Sequence, residues 1–262
     1  MDKKKLFVVS DIHSFYEPII EALDNAGFDK NNEQHYLIVC GDAFDRGPNS
    51  VEVLQFLMSL DRKILVKGNH DILFTDLCNR GFPQYYDLSN GTVTTIETLG
   101  GGVNDNSFKD CCDIAFARTQ SFRDSLVNYF ETEKYIFVHS WIPTDRKSAL
   151  NPSDKWNKII SHKYLENWRQ ASNAEWDEAM WGNPFELAKL GLNQTGKTIV
   201  FGHWHCSAAW AEEEERSEFG PDAEWSPYYG KGIIGIDRCT AHTGEVNVLV
   251  LEDNFISNNK ER

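Results

Sequence analysis

Five short stretches carry side chains able to hold a metal ion or move a proton: Asp11-Ile12-His13, GDAFDRG (41–47), GNHD (68–71), His139, and FGHWHCS (201–207). Taken singly, each has a plain structural reading. Asp-x-His is a common turn with an Asx hydrogen bond, a single His139 in an apolar strand is an ordinary core histidine, and Asp45–Arg46 can close a turn as an ion pair. FGHWHCS alone leaves three readings open: a metal clip, a cysteine–histidine nucleophile pair, or a tryptophan-filled turn. GDAFDRG is more specific, because two aspartates, an arginine and flanking glycines are an odd way to end a strand. The ordered set is stronger than any member.

The stretches share a position in the chain. Seven apolar, β-branched or aromatic runs predict strands at 6–10, 35–40, 63–67, 135–140, 197–202, 232–237 and 246–252. The five candidate stretches follow or finish the first five of these runs. In an open α/β sheet the carboxyl ends of strands are where ligands bind, and packing gives no reason for five strands to deliver such groups there. Apolar residues at helical spacing, Ile19/Ile20/Leu23/Ala26 and Val51/Leu54/Leu57/Met58, predict helices between the early strands, and Phe122/Leu126/Tyr129/Phe130 predict a third before 135. Alternating strands and helices imply β-α-β crossovers and a partly parallel sheet. The last two runs read as an antiparallel pair.

Length and composition set the frame. At 262 residues, with 41% hydrophobic and 25% charged side chains, the chain fits one α/β domain over 1–262. It carries a mostly helical, Trp-rich insertion at about 141–196 (Trp141, Trp156, Trp168, Trp176, Trp181) and an acidic loop at about 207–231. The run Glu212–Glu215 reads as a solvated face. A net charge of −14 disfavours extended nucleic acid as a partner without disfavouring a small phosphorylated substrate. No run reaches the apolar length of a membrane span, and the basic start MDKKK precedes too short an apolar run for a secretory signal. Six cysteines without a C-x-x-C pair complete the expectation of a reduced, cytoplasmic protein.

D-x-H, G-D-x-x-D-R-G, G-N-H-D, a separated strand-end histidine and G-H-x-H together resemble the calcineurin-like metallophosphoesterase superfamily. The intact second and third motifs resemble its PPP branch, which holds Ser/Thr protein phosphatases and symmetrical dinucleoside tetraphosphatases. NGTVTT (90–95), AMWGNP (179–184) and the closing stretch 235–252 are similar to further family segments. The resemblance implies a four-layer α/β/β/α sandwich with mixed sheets and two divalent ions about 3.5–4 Å apart, with Mn²⁺ placed before Fe and Zn²⁺. Asp11, His13, Asp42 and His205 are expected at one ion; Asp42, bridging, with Asn69, His139 and His203 at the other. His70 is implied as general acid, oriented by Asp45, with Arg46 gripping phosphate oxygens and water activated at the ions as nucleophile. Cys206 then drops out as a nucleophile.

Two departures from the family pattern stand out: His139-Ser140-Trp141 replaces H-G-G, and Arg238-Cys239-Thr240 offers an extra cation, Arg238, near the site. A second phosphate-binding arginine is unassigned, with Arg146 and Arg169 as candidates. The resemblance puts phosphomonoesters such as phosphoserine or phosphothreonine in proteins first as substrate, and dinucleoside polyphosphates or other nucleotides second. The tryptophans of 141–196, with Trp204, Trp210 and Trp225, read first as packing and second as platforms for a base. A non-catalytic scaffold is disfavoured because every ligand position is filled.

Overall fold

A strand buried on both faces sends successive side chains to opposite sides, so its sequence is a continuous apolar run with two destinations. In β1 (Lys4–Val9) Phe7 and Val9 join one core cluster while Leu6 and Val8 join another. β2 (His35–Cys40) divides the same way, with Leu37 and Val39 on one side and Ile38 and Cys40 on the other. The computed structural model describes residues 3–102, 107–150 and 158–255. The remaining strands are β3 (Lys63–Val66), β4 (Leu126–Val127), β5 (Phe130–Glu131), β6 (Tyr135–Phe137), β7 (Thr144–Leu150), β8 (Lys158–Tyr164), β9 (Thr198–Phe201), β10 (Tyr228–Gly230), β11 (Ile233–Gly235) and β12 (Leu249–Asp253).

They form two five-stranded mixed sheets, ordered β12-β1-β2-β3-β4 and β10-β11-β9-β6-β5, with β7 and β8 as a separate hairpin. β1, β2 and β3 are parallel neighbours, as are β6, β9 and β11. The first sheet packs one face on helices Tyr16–Ala26, Ser50–Ser59, Asn69–Arg80, Thr92–Gly100 and Phe108–Arg118. Its other face meets the second sheet through Leu6, Val8, Ile38, Phe137, Val200 and Ile234. The outer face of the second sheet buries Ile136, Ile199 and Ile233 against Trp141, Trp168, Trp176, Phe185 and Ala209. The expected α/β/β/α sandwich is present, and both crossover helices run where the apolar spacing placed them.

Four local expectations differ from the structure. The runs at 232–237 and 246–252 do not pair: β11 lies beside β9 and β10 in one sheet, while β12 lies antiparallel to β1 at the edge of the other. The stripe Phe122–Phe130 is not one helix but a short helix (Gln120–Asp124) followed by β4 and β5 in different sheets. The Trp-rich segment 141–196 carries the β7–β8 hairpin beside a 3₁₀ turn and two short helices, Asn173–Ala179 and Pro184–Lys189; Trp156 lies outside the described residues. The region 207–231 opens in a helix, Cys206–Glu214, whose glutamates are exposed, and closes in β10. No helix among the described residues is long and apolar enough to cross a membrane.

Candidate metal site

The ends of β1, β2, β3, β6 and β9 meet at one edge of the two-sheet sandwich. Asp42 is the hub. Its Oδ1 accepts the His70 backbone N–H (3.1 Å), and its Oδ2 lies 3.4 Å from His139 Nε2, 3.8 Å from His70 Nε2 and 3.9 Å from His13 Nε2. Two sets of donor atoms, each within 4.8 Å, share it: His13, Asp42 and His70, and Asp42, His139 and His203. Asn69 Oδ1 is 2.7 Å from His139 Nε2, and His203 Nδ1 is 3.1 Å from the same nitrogen. Asp11 stands 3.8 Å from His13 Nε2 through Oδ1, while its Oδ2 accepts the His203 backbone N–H at 2.9 Å.

The proton inventory shows what this arrangement lacks. His13 donates Nδ1–H to the Phe44 carbonyl and His139 donates Nδ1–H to the Cys40 carbonyl, both at 2.9 Å. In the neutral rings that leaves both Nε2 atoms as lone pairs. His13 Nε2 is buried with no hydrogen-bond partner, and His139 Nε2 faces the oxygens of Asn69 and Asp42. Lone pairs converging on one point, buried and without a proton to share, are what a cation resolves, and carbonyl partners on the far ring nitrogens are the usual way such ligands are aimed. The donor set of imidazole nitrogens, carboxylates and an amide oxygen fits two divalent ions sharing Asp42.

Charge follows the same pattern. Burial, then repulsion from Asp42, raises the Asp11 carboxyl to about 7. Burial alone would also raise Asp42, but His139, His70, His13 and His203 around it hold it below the usual carboxylate range. Burial, and then Arg46, lowers His13; burial, and then His139, lowers His203 to about 3, so both rings are neutral near pH 7.

Backbone strain is concentrated here. Asp11, His13, Asp42, Asp45, Arg46 and His203 all have φ between 50° and 74°, a region that non-glycine residues enter at a cost and that clusters at functional sites. Glycines clear the way: a Cβ at Gly68 would sit 2.1 Å from Asp42 Oδ1, and one at Gly202 2.1 Å from Asp11 Oδ2.

Beside the cluster, His70 Nδ1 pairs with Asp45 Oδ2 at 2.7 Å. Burial opposes charge on His70, but Asp42 and Asp45 outweigh it and raise its pKa. Arg46, exposed above the buried cluster, places Nη2 3.3 Å from His70 Nε2. Two residues without an expected role complete the arrangement: Thr92 Oγ1 donates to Asp45 Oδ2 (2.7 Å), and Thr95 Oγ1 accepts the Asp45 N–H (3.1 Å). NGTVTT stood in the sequence as a family segment, and the hydroxyls at 92 and 95 were its only chemical signal.

His205 is not brought into the cluster. The Trp204 N–H donates to the Gly202 carbonyl (2.7 Å) across His203, whose φ is 65°. This γ-turn breaks the alternation that would aim residues 203 and 205 the same way. The His205 ring instead touches Ser207 Oγ (3.0 Å), Glu218 Oε1 (3.3 Å), Phe219 and Trp225. Trp204 is turned outward and 37% exposed rather than packed. The three free arginines of the sequence reading are all engaged: Arg169 grips Glu131 through Nε and Nη2 (2.9 and 2.6 Å), Arg146 pairs with Glu178, and Arg238 pairs with Glu245.

The calcineurin-like phosphoesterase family model matches residues 4–207, which include every clustered residue. The chain belongs to this family. Among curated members, a symmetrical bis(5'-nucleosyl)-tetraphosphatase of Buchnera aphidicola (strain APS) is 43% identical over 197 residues, 72% of this chain and 61% of that protein. The protein of the same name from Coxiella burnetii (strain RSA 493) is 38% identical over 69 residues, 26% of this chain and 23% of its own length. The chain thus spans less than two thirds of the length of the curated relatives it matches. Solved structures with the same fold include a chain provisionally assigned as a diadenosine tetraphosphatase (TM-score 0.50, 16% identity, 97% of this chain and 95% of that one). Another is a cold-active protein-tyrosine phosphatase of a Shewanella species (TM-score 0.51, 17% identity, 95% and 75%).

Proposed function

We propose that this phosphoesterase is a hydrolase of dinucleoside polyphosphates. The observation that carries the reading is the Buchnera relative, a symmetrical tetraphosphatase sharing 43% identity across 72% of this chain. It supports the second of the two substrate classes expected from sequence over phosphoserine or phosphothreonine in proteins. Asp11, His13, Asp42, Asn69, His139 and His203 would hold two divalent ions. Such ions supply Lewis-acid neutralisation of the phosphate and a nucleophile from water at neutral pH.

The chain's own residues supply the rest. Arg46, exposed at the mouth, offers a planar fork to two non-bridging phosphate oxygens. His70, whose charged form Asp42 and Asp45 favour, turns Nε2 toward the cluster and Arg46; with Arg46 drawn onto the phosphate, a proton on Nε2 is positioned to pass to a departing phosphate oxygen. Asp45, fixed by Thr92 and Thr95, sets the tautomer and direction of that imidazole.

A side-by-side assay of the Mn²⁺-loaded protein on diadenosine tetraphosphate and on a phosphoserine peptide tests this. Turnover of the dinucleotide to two diphosphates, at least tenfold faster than the peptide and abolished by chelation or Asp42→Ala, is the expected result. His70→Ala should lower kcat by about 10²–10⁴. Faster turnover of the peptide would return the assignment to a protein phosphatase.

A further inference from the structure

Next along the chain from His139 lies a cavity of about 430 Å³, within the size range of small-molecule sites. It is built by the chain that carries His139. Trp141, two residues further on and therefore within about 7 Å of Cα path, forms part of its wall, and Ser140 Oγ donates to the Gly182 carbonyl (2.7 Å), tying the opposite wall to the same strand end. Trp181, half exposed, stands next to Gly182, and Leu187 adds aliphatic surface. None of these residues belongs to the ion cluster.

The lining excludes a phosphate and suits a flat polar ring. Glu175 and Glu178 place two carboxylates here against one guanidinium, Arg146, already paired with Glu178. Like charge repels an anion, so the part of a substrate that enters is its uncharged part. The half-exposed indole face of Trp181 offers a stacking surface over a floor closed by the buried Trp141. Thr144 Oγ1 with His162 Nδ1 (2.8 Å) and the Glu178 carboxylate offer hydrogen-bonding edges for ring nitrogens and an exocyclic amine.

We infer that this cavity is the nucleobase subsite, taking the aminopurine ring of the nucleotide whose phosphates reach the ions beside it. The inference rests on the nucleotide reading above. A ribose and two phosphates separate the base from the bond being cleaved, which is why the base belongs beside the cluster and not within it.

Equilibrium binding to the Mn²⁺-loaded protein tests the subsite without using catalysis. Adenosine 5'-monophosphate and inorganic phosphate are titrated calorimetrically into wild type, Trp181→Ala, Trp181→Phe and Tyr229→Ala, the last removing an exposed ring on β10. Trp181→Ala should weaken the nucleotide about fivefold or more, the low end for loss of a base–aromatic stack, and phosphate less than twofold. Trp181→Phe should restore most of the loss, and Tyr229→Ala should change neither ligand. An unchanged ratio of nucleotide to phosphate affinity in Trp181→Ala, or equal weakening of both, overturns the subsite. If wild type leaves diadenosine tetraphosphate intact while Trp181→Ala still loses the nucleotide selectively, the subsite stands and the substrate assignment falls. If wild type cleaves the dinucleotide and the ratio is unmoved, the reverse holds.

Discussion

In the proposed two-ion arrangement, Asp11 is the ligand whose proton would have to leave before an ion enters. Burial and the neighbouring Asp42 hold its carboxyl near 7, whereas His13 and His203 are already neutral and have no proton to give. Metal binding therefore competes with one proton at Asp11. Below about pH 7 the affinity for Mn²⁺ should rise with pH by up to about tenfold per unit; above it, this contribution levels off. Calorimetric titrations at pH 6 in buffers of different ionisation enthalpy should show proton release that falls by about one in Asp11→Asn. An unchanged release would remove Asp11 from the ion's surroundings. At this scale the sequence was legible wherever a residue type has its own chemistry: Asp42, Asn69, His70, His139 and His203 converge from stretches up to 161 residues apart in numbering. It was silent on Thr92 and Thr95, whose hydroxyls act only by holding Asp45 and resemble any exposed threonine until the helix Thr92–Gly100 is placed against the 41–47 turn. It misplaced His205, because an apolar strand followed by G-H-x-H does not announce a γ-turn at its second residue.

The elements explain the spacing of the motifs. Each strand stops where its last inward side chain meets the other sheet, and the next residues turn sharply at the shared edge. Gly68 shows how little room is left. Its φ of −108° suits any residue, so its role is steric: an added Cβ would lie 2.1 Å from Asp42 Oδ1 and 2.5 Å from Asp42 N. Gly68→Ala should cost about 1–3 kcal/mol of stability by overpacking and weaken Mn²⁺ binding at least tenfold, because Asp42 is the atom in the way. Gly27→Ala is the comparison. A Cβ there meets nothing within 4 Å, but φ is 77°, so about 1–2 kcal/mol is lost to backbone strain with the ions bound as in wild type. Chemical denaturation paired with metal titration separates the two, and equal metal affinity in both variants would contradict the steric account. Crossover helices were readable because Ile19, Leu23, Val53 and Leu57 keep helical period against one sheet face. The stripe Phe122–Phe130 was misread because its apolar residues serve two cores: Phe122 packs under the first sheet, Phe130 between the sheets and Tyr129 against Trp168 and Trp176. Helical spacing then appears without a helix.

For the molecule as a whole, the site joins two sheets that also meet through an apolar side-chain layer and the Thr132–Phe255 backbone bridge. Asp11, His13, Asp42 and Asn69 follow strands of the first sheet; His139 and His203 follow strands of the second. Without ions the joint consists of an apolar layer around Phe137 and Val200, plus hydrogen bonds such as His139 Nδ1 to the Cys40 carbonyl and the His203 N–H to Asp11. Ions held as proposed would make the same residues a cross-link between sheets. Any ligand that binds only the folded state stabilises it, by about 2.7 kcal/mol per site at a hundredfold excess over Kd. For a chain of this size that is a rise in Tm of roughly 5–10 °C. The rise should depend on the second sheet's contribution as much as the first's: His139→Ala should lose about as much of the Mn²⁺-induced shift as His13→Ala, although the two lie in different sheets. Scanning calorimetry of chelated and Mn²⁺-loaded protein measures this, with amide exchange at the ends of β2 and β9 reporting whether both sheet edges are held. A full shift in His139→Ala would mean that the ions are held by the first sheet alone, and the cross-link would then not exist.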